Sequence, residues 1–150
     1  MSNKDYFLSK EEFDYIYSKV PRLTVEIIIK NRSGKILLTK RDIEPCIGQW
    51  HLPGGTVAFG ETLKDAVFRV AKRELSIEVE DSKNVGYIEY PSHFLNGMDC
   101  PVGIVFEVVS YNGQIKLNKE SKDSGWFDEI PENMHADQDV FLINNNYLEE

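Results

Sequence analysis

Hydrophobic residues change their spacing along this chain in a way that marks out successive elements. Phe13, Ile16, Tyr17 and Val20 recur at helical intervals behind Ser9 and Glu12, which have capping-box spacing, and Pro21 ends the run. A short amphipathic helix is expected within residues 1–20. Residues 23–29 are apolar and β-branched, 31–34 carry turn chemistry and 36–38 resume an apolar run, so the pattern predicts a β-hairpin. Pro45 and Gly48 place residues 42–49 in a loop. Between Glu61 and Leu75 the positions Leu63, Ala66, Val67, Val70 and Ala71 fall on one face, the strongest helix signal in the sequence. Shorter strand patterns follow at 77–79, 85–90, 102–109 and 115–117, with Asn112-Gly113 as a hairpin turn between the last two. Trp126 and Phe127 begin another extended piece, Pro131 breaks it, and Val140, Phe141 and Ile143 predict a closing helix. The expected fold class is α/β (α+β), with a mixed β-sheet sandwiched between helices.

Composition narrows the partners. With 41% of 150 residues hydrophobic, the chain has material for one core, and a single domain over 1–150 is expected. Its 25 acidic and 17 basic residues leave a net charge of −8, which opposes the phosphate contacts that long nucleic acids need. A small phosphorylated ligand is still compatible, because divalent cations bridge protein carboxylates to phosphate oxygens. Cys46 and Cys100 lack close metal-ligand spacing and read as reduced thiols. No run has the length of an apolar membrane span and the N-terminus has no apolar central stretch, so a cytoplasmic protein with no membrane partner is expected.

The chemistry concentrates in one segment. Gly54-Gly55 lets the backbone turn sharply and present carbonyl groups, and the following helix projects acidic side chains towards a common point, as hard cations require. The order Gly55, five residues, Glu61, seven residues, Arg69, then Glu74 resembles the Nudix signature. Two of the three glutamates that end that signature are Val70 and Arg73 here, and its late glycine is Ser76. Glu74 alone remains, which points to one metal ion. The wider pattern is similar to the GDP-mannose mannosyl hydrolase branch of that superfamily, in residues 7–13, 34–41, 49–55 and Asn133-Met134-His135-Ala136.

The resemblance implies a Nudix fold, a Mg²⁺ ion (with Mn²⁺ as an alternative) held by the Gly55 carbonyl, Glu74 and Glu120, and an acidic substrate contact at Glu26. It also implies two functional arginines, Arg41 and Arg69, and a homodimer whose interface includes the N-terminal segment. A guanidinium at Arg41 suits the charge that develops on a leaving diphosphate. Glu61 and Arg69 have a second reading, a hydrogen-bonded pair that pins the glycine loop to the helix. Where the mannosyl branch has glutamine and a histidine base, this chain has Glu120 and Ser121, and a serine needs its own base to take a proton. Glu120 instead fits a ligand or base for attack at phosphorus.

The expected substrate is a small nucleotide derivative: a nucleoside diphosphate linked to another group, a nucleotide sugar first among them. Attack at the anomeric carbon, and a ligand sensor without turnover, are the alternatives. His51, His93 and His135 are isolated in sequence and read as structural, with His93 the best substitute base.

Overall fold

The computed structural model describes residues 8–42, 46–117 and 121–150. In chain order its elements are α1 (Lys10–Tyr17), β1 (Arg22–Ile28), β2 (Ile36–Arg41), β3 (Trp50–His51), β4 (Gly54–Thr56) and α2 (Leu63–Leu75). These are followed by β5 (Glu78–Glu89), α3 (Pro91–Leu95), β6 (Pro101–Asn112), β7 (Ser121–Phe127) and α4 (Gln138–Asn144). The capping box forms as its spacing implies: the Ser9 hydroxyl accepts from the Glu12 N–H at 3.1 Å, and Glu12 accepts from the Ser9 N–H at 2.9 Å.

The strands make a four-stranded sheet in the order β4-β1-β6-β5 and a three-stranded sheet in the order β3-β2-β7. β1 runs parallel to β6 and antiparallel to β4, so the larger sheet is mixed. The hairpin expected for residues 23–38 is therefore corrected. β1 and β2 meet only beside their turn, where the Leu37 N–H donates to the Ile29 carbonyl at 3.0 Å, and then enter different sheets. The cause is burial on both faces of β1. Val25, Ile27 and Ile29 pack on Val67, Val70 and Ala71 of α2, while Ile28 packs on Phe141 and Leu142 of α4. A strand buried on both faces needs partners that a lone hairpin does not provide.

Two other expectations change, and one helix is added. The strand patterns at 77–79 and 85–90 are one strand, β5, whose register shifts near Asp81 and before Gly86. Residues 115–117 form no strand: the Lys116 N–H donates to the Leu75 carbonyl at 2.8 Å and closes the end of α2. α3 had no apolar periodicity to reveal it and starts on Pro91, whose fixed φ suits a first helical turn. Ser76, at the place of the signature's glycine, caps α2 in the left-handed conformation at φ 61°.

Candidate functional site

Side chains from α1, β1, β4, α2, α3 and the segment before α4 converge on a cavity of about 730 Å³. Its floor follows from strand register. β1 pairs with β4 so that Glu26 lies opposite Gly54, and Val25 opposite Gly55. A Cβ on Gly54 would overlap the Glu26 carboxylate, and one on Gly103 of β6 would sit 2.5 Å from Glu26 Oε2. Glycine on both flanking strands is thus what makes room for a carboxylate in the middle of a sheet.

Glu26 is buried, and its Oε2 accepts hydrogen bonds from the Thr24 hydroxyl and the Tyr90 hydroxyl, each at 2.8 Å. Tyr90 in turn accepts from Gln138 Nε2 at 2.9 Å, and Gln138 Oε1 accepts from the Leu52 N–H at 2.8 Å. This chain of bonds ties β1, α3, α4 and the glycine loop to one carboxylate. Burial pushes Glu26 up to about 7, against the lowering effect of Thr24, Tyr90 and Arg22, and nearby Glu74 pushes it slightly further.

Glu74, at the end of α2, is also buried and lines the same cavity, with an Arg73 guanidinium nitrogen 3.3 Å from its Oε2. Arg41 reaches the cavity from the end of β2, where the register against β7 shifts between Lys40 and Arg41. Glu26, Arg41, Gly55 and Glu74, four positions singled out in the sequence, therefore line one cavity. The Gly55 carbonyl and the Glu74 carboxylate are oxygen donors of the kind a hard divalent cation takes. Val70, by contrast, is fully buried under the sheet, and Arg73 sets a positive charge beside Glu74, so neither departure from the signature adds an oxygen ligand.

Arg69 has a different place. Its guanidinium donates to Glu61 Oε2 at 2.7 Å, to Glu61 Oε1 at 3.0 Å and to the Thr56 carbonyl at 2.8 Å, and it does not line the cavity. Glu61 also accepts from the Ala58 N–H at 2.9 Å. Burial opposes ionisation of Glu61, but the bonds from Arg69 and Ala58 outweigh it and lower its pKa. The pair pins the loop after β4 to α2. Glu120 lies outside the described residues.

Arg22 and Asp99 have no motif spacing to mark them and join the site through the fold. Arg22 donates to Asp99 at 2.6 Å and to the Thr56 hydroxyl at 2.8 Å, and Asp99 Oδ1 lies 3.1 Å from His93 Nδ1. Although burial resists it, the bond with His93 and the charge of Arg22 hold Asp99 at about 2. The expectation of isolated histidines is corrected: the His93 and His135 rings lie with centroids 5.0 Å apart, and their Nε2 atoms are 3.0 Å apart. His51 lines the same cavity; burial lowers it to about 4, so its ring is neutral near pH 7.

Known proteins share the family pattern and the fold. The sequence model of the family described as NUDIX domain matches residues 20–143. The low-salt glycan biosynthesis protein Agl8 of Haloferax volcanii is 32% identical over 136 residues, which cover 88% of this chain and 86% of that protein. The ADP-ribose pyrophosphatase of Methanocaldococcus jannaschii is 32% identical over 108 residues, 72% of this chain and 62% of that protein. Among solved structures, the MutT NUDIX hydrolase of Burkholderia pseudomallei superposes with a TM-score of 0.74 at 29% identity, over 83% of this chain and 97% of that one. With the family pattern spanning both sheets and the helix that carries Glu74, this chain belongs to the NUDIX domain family and is a Nudix hydrolase.

Proposed function

We propose that this hydrolase uses a divalent cation, Mg²⁺ or Mn²⁺, to split a nucleoside diphosphate linked to a sugar or a similar group. The observation that carries the reading is the convergence of Glu26, Arg41, the Gly55 backbone and Glu74 on one cavity. Glu74 and the Gly55 carbonyl would hold the ion, which when bound polarises the diphosphate and stabilises the leaving group. Arg41 supplies a guanidinium for phosphate oxygens. Glu26, half-protonated near pH 7, can donate to or accept from a substrate hydroxyl.

The remaining roles differ in their support. Glu120, as a further ligand or the base for attack at phosphorus, rests on its loop position in the sequence. Arg69 acts through the loop it pins, as a positioning residue. A relative named for glycan biosynthesis supports a sugar in the substrate, and one named for ADP-ribose supports a nucleoside diphosphate ester. A cytoplasmic homodimer belongs to the same proposal, on the resemblance in residues 7–13. No helix among the described residues is long and apolar enough to cross a membrane.

The test is incubation of the purified chain with Mg²⁺ and a panel of nucleotide sugars, dinucleotides and nucleoside triphosphates, in ¹⁸O-labelled water. A nucleoside monophosphate plus a sugar phosphate, with label in one phosphate, is the expected outcome. A nucleoside diphosphate plus free labelled sugar would place attack at the anomeric carbon. Ligand binding without any product would make the chain a sensor.

A further inference from the structure

One cluster in the cavity has no part in that reading. His93 on α3 and His135 before α4 are both buried, and Cys46, in the loop before β3, brings its thiol to them: the three ligand atoms all lie within 4.8 Å of one another. The hydrogen bonds place a proton on Nδ1 of each ring. His135 Nδ1 lies 2.6 Å from the Ala136 carbonyl, which only accepts, so this nitrogen carries the proton. His93 Nδ1 lies 3.1 Å from the Asp99 carboxylate, which Arg22 and His93 keep ionised, so it too carries a proton. This leaves the two Nε2 atoms facing each other across 3.0 Å. Two ring nitrogens at that distance are joined either by a shared proton or by a metal cation between them.

We propose that Cys46, His93 and His135 form a binding site for a borderline-soft divalent ion, Zn²⁺ by chemistry, separate from the oxygen donors of Glu74 and Gly55. Distances of ~2.0–2.1 Å to nitrogen and ~2.3 Å to sulfur are typical of tetrahedral Zn²⁺, and they set the two nitrogens about 3.3 Å apart. The rings need to open by only a few tenths of an ångström. Asp99 on the far nitrogen of His93, and the Ala136 carbonyl on that of His135, are the outer partners that orient metal-bound imidazoles. A thiolate at Cys46 offsets one of the ion's charges. Three protein ligands leave the fourth position of a tetrahedral ion directed to the cavity, as in sites that bind water or substrate. Nitrogen and sulfur donors select against Mg²⁺, so the cavity would hold two chemically distinct metal positions.

The test uses the full chain, stripped with chelator and titrated with Co²⁺, whose spectrum reports geometry and ligands. One equivalent should give intense visible bands of four-coordinate cobalt and a near-ultraviolet thiolate-to-cobalt band. Both should be displaced by Zn²⁺ and unaffected by millimolar Mg²⁺. The thiolate band should vanish in Cys46→Ser, and the visible bands should weaken in His93→Asn, with far-ultraviolet circular dichroism checking that each variant folds. Weak, six-coordinate-like absorption from the unmodified protein would overturn the proposal and leave a shared proton between the rings. Persistence of the thiolate band in a folded Cys46→Ser would overturn it as well.

Discussion

Replacing Glu26 by glutamine is expected to stabilise the metal-free protein by an amount that grows as pH rises from about 4.5 to 7 and is constant above. Glu26 is buried and held near 7, against an ordinary value of 4.5. A carboxyl raised in the folded state keeps a proton that the unfolded chain has lost between those two values. Its stability contribution is therefore fully present below about 4.5 and is lost as pH rises through 7. A shift of this size corresponds to about 3 kcal/mol once ionisation is complete.

Glutamine has the same shape, and its carbonyl oxygen can accept from Thr24 and Tyr90 as Glu26 Oε2 does. Urea denaturation in chelator should then give stabilities within about 1 kcal/mol of each other at pH 5, and a variant more stable by about 3 kcal/mol at pH 8.5. For a chain of 150 residues this is a rise in Tm of roughly 6 to 12 °C. Mg²⁺ should narrow the gap, because a cation near Glu26 offsets its charge. Equal pH dependence of the two proteins, or a less stable variant at pH 8.5, would refute the reasoning.

Other consequences are equally accessible. Arg69→Ala removes one partner of a largely buried ion pair and should cost about 3 kcal/mol in urea denaturation, because Glu61 is left without its counter-ion. Gly103→Ala places a methyl group against Glu26 and Thr24 and should destabilise by about 1–3 kcal/mol, less in the background of Glu26→Ala, where space is restored. Ser76→Gly should stabilise by roughly 0.5–1 kcal/mol, since the left-handed cap at φ 61° penalises a Cβ. His51 is depressed to about 4 from 6.5, so its contribution is present above 6.5 and lost as pH falls towards 4. A His51→Gln variant should show a shallower loss of stability over that window in thermal unfolding.

The sequence exposes α2 well because its apolar residues keep a helical period and its cap and acidic positions sit at fixed offsets. Local spacing likewise places Gly55 and Glu74 together, since both belong to one loop and the helix it feeds. Glu26 and Arg41 reach that site through strand pairing, and it was the resemblance that pointed to them. β5 was divided in reading because residues 80–84 are polar on a strand with a solvated face and shifting register. The Cys46, His93 and His135 cluster was not legible at all. Its members are far apart in the chain and meet only because α3 and the approach to α4 fold over the same end of the sheet. Tyr90 and Gln138 were hidden for the same reason, each looking like an ordinary core or helix residue until a buried carboxylate gave it a partner.

Metal binding at Glu74 is tested by turnover of a nucleotide sugar against Mg²⁺ concentration for the native chain and for Glu74→Gln. The variant, folded and with its shape preserved, should need at least tenfold more Mg²⁺ or lose turnover by a hundredfold or more, on the order of 3 kcal/mol of transition-state stabilisation. An unchanged Mg²⁺ dependence and rate in the folded variant would contradict it.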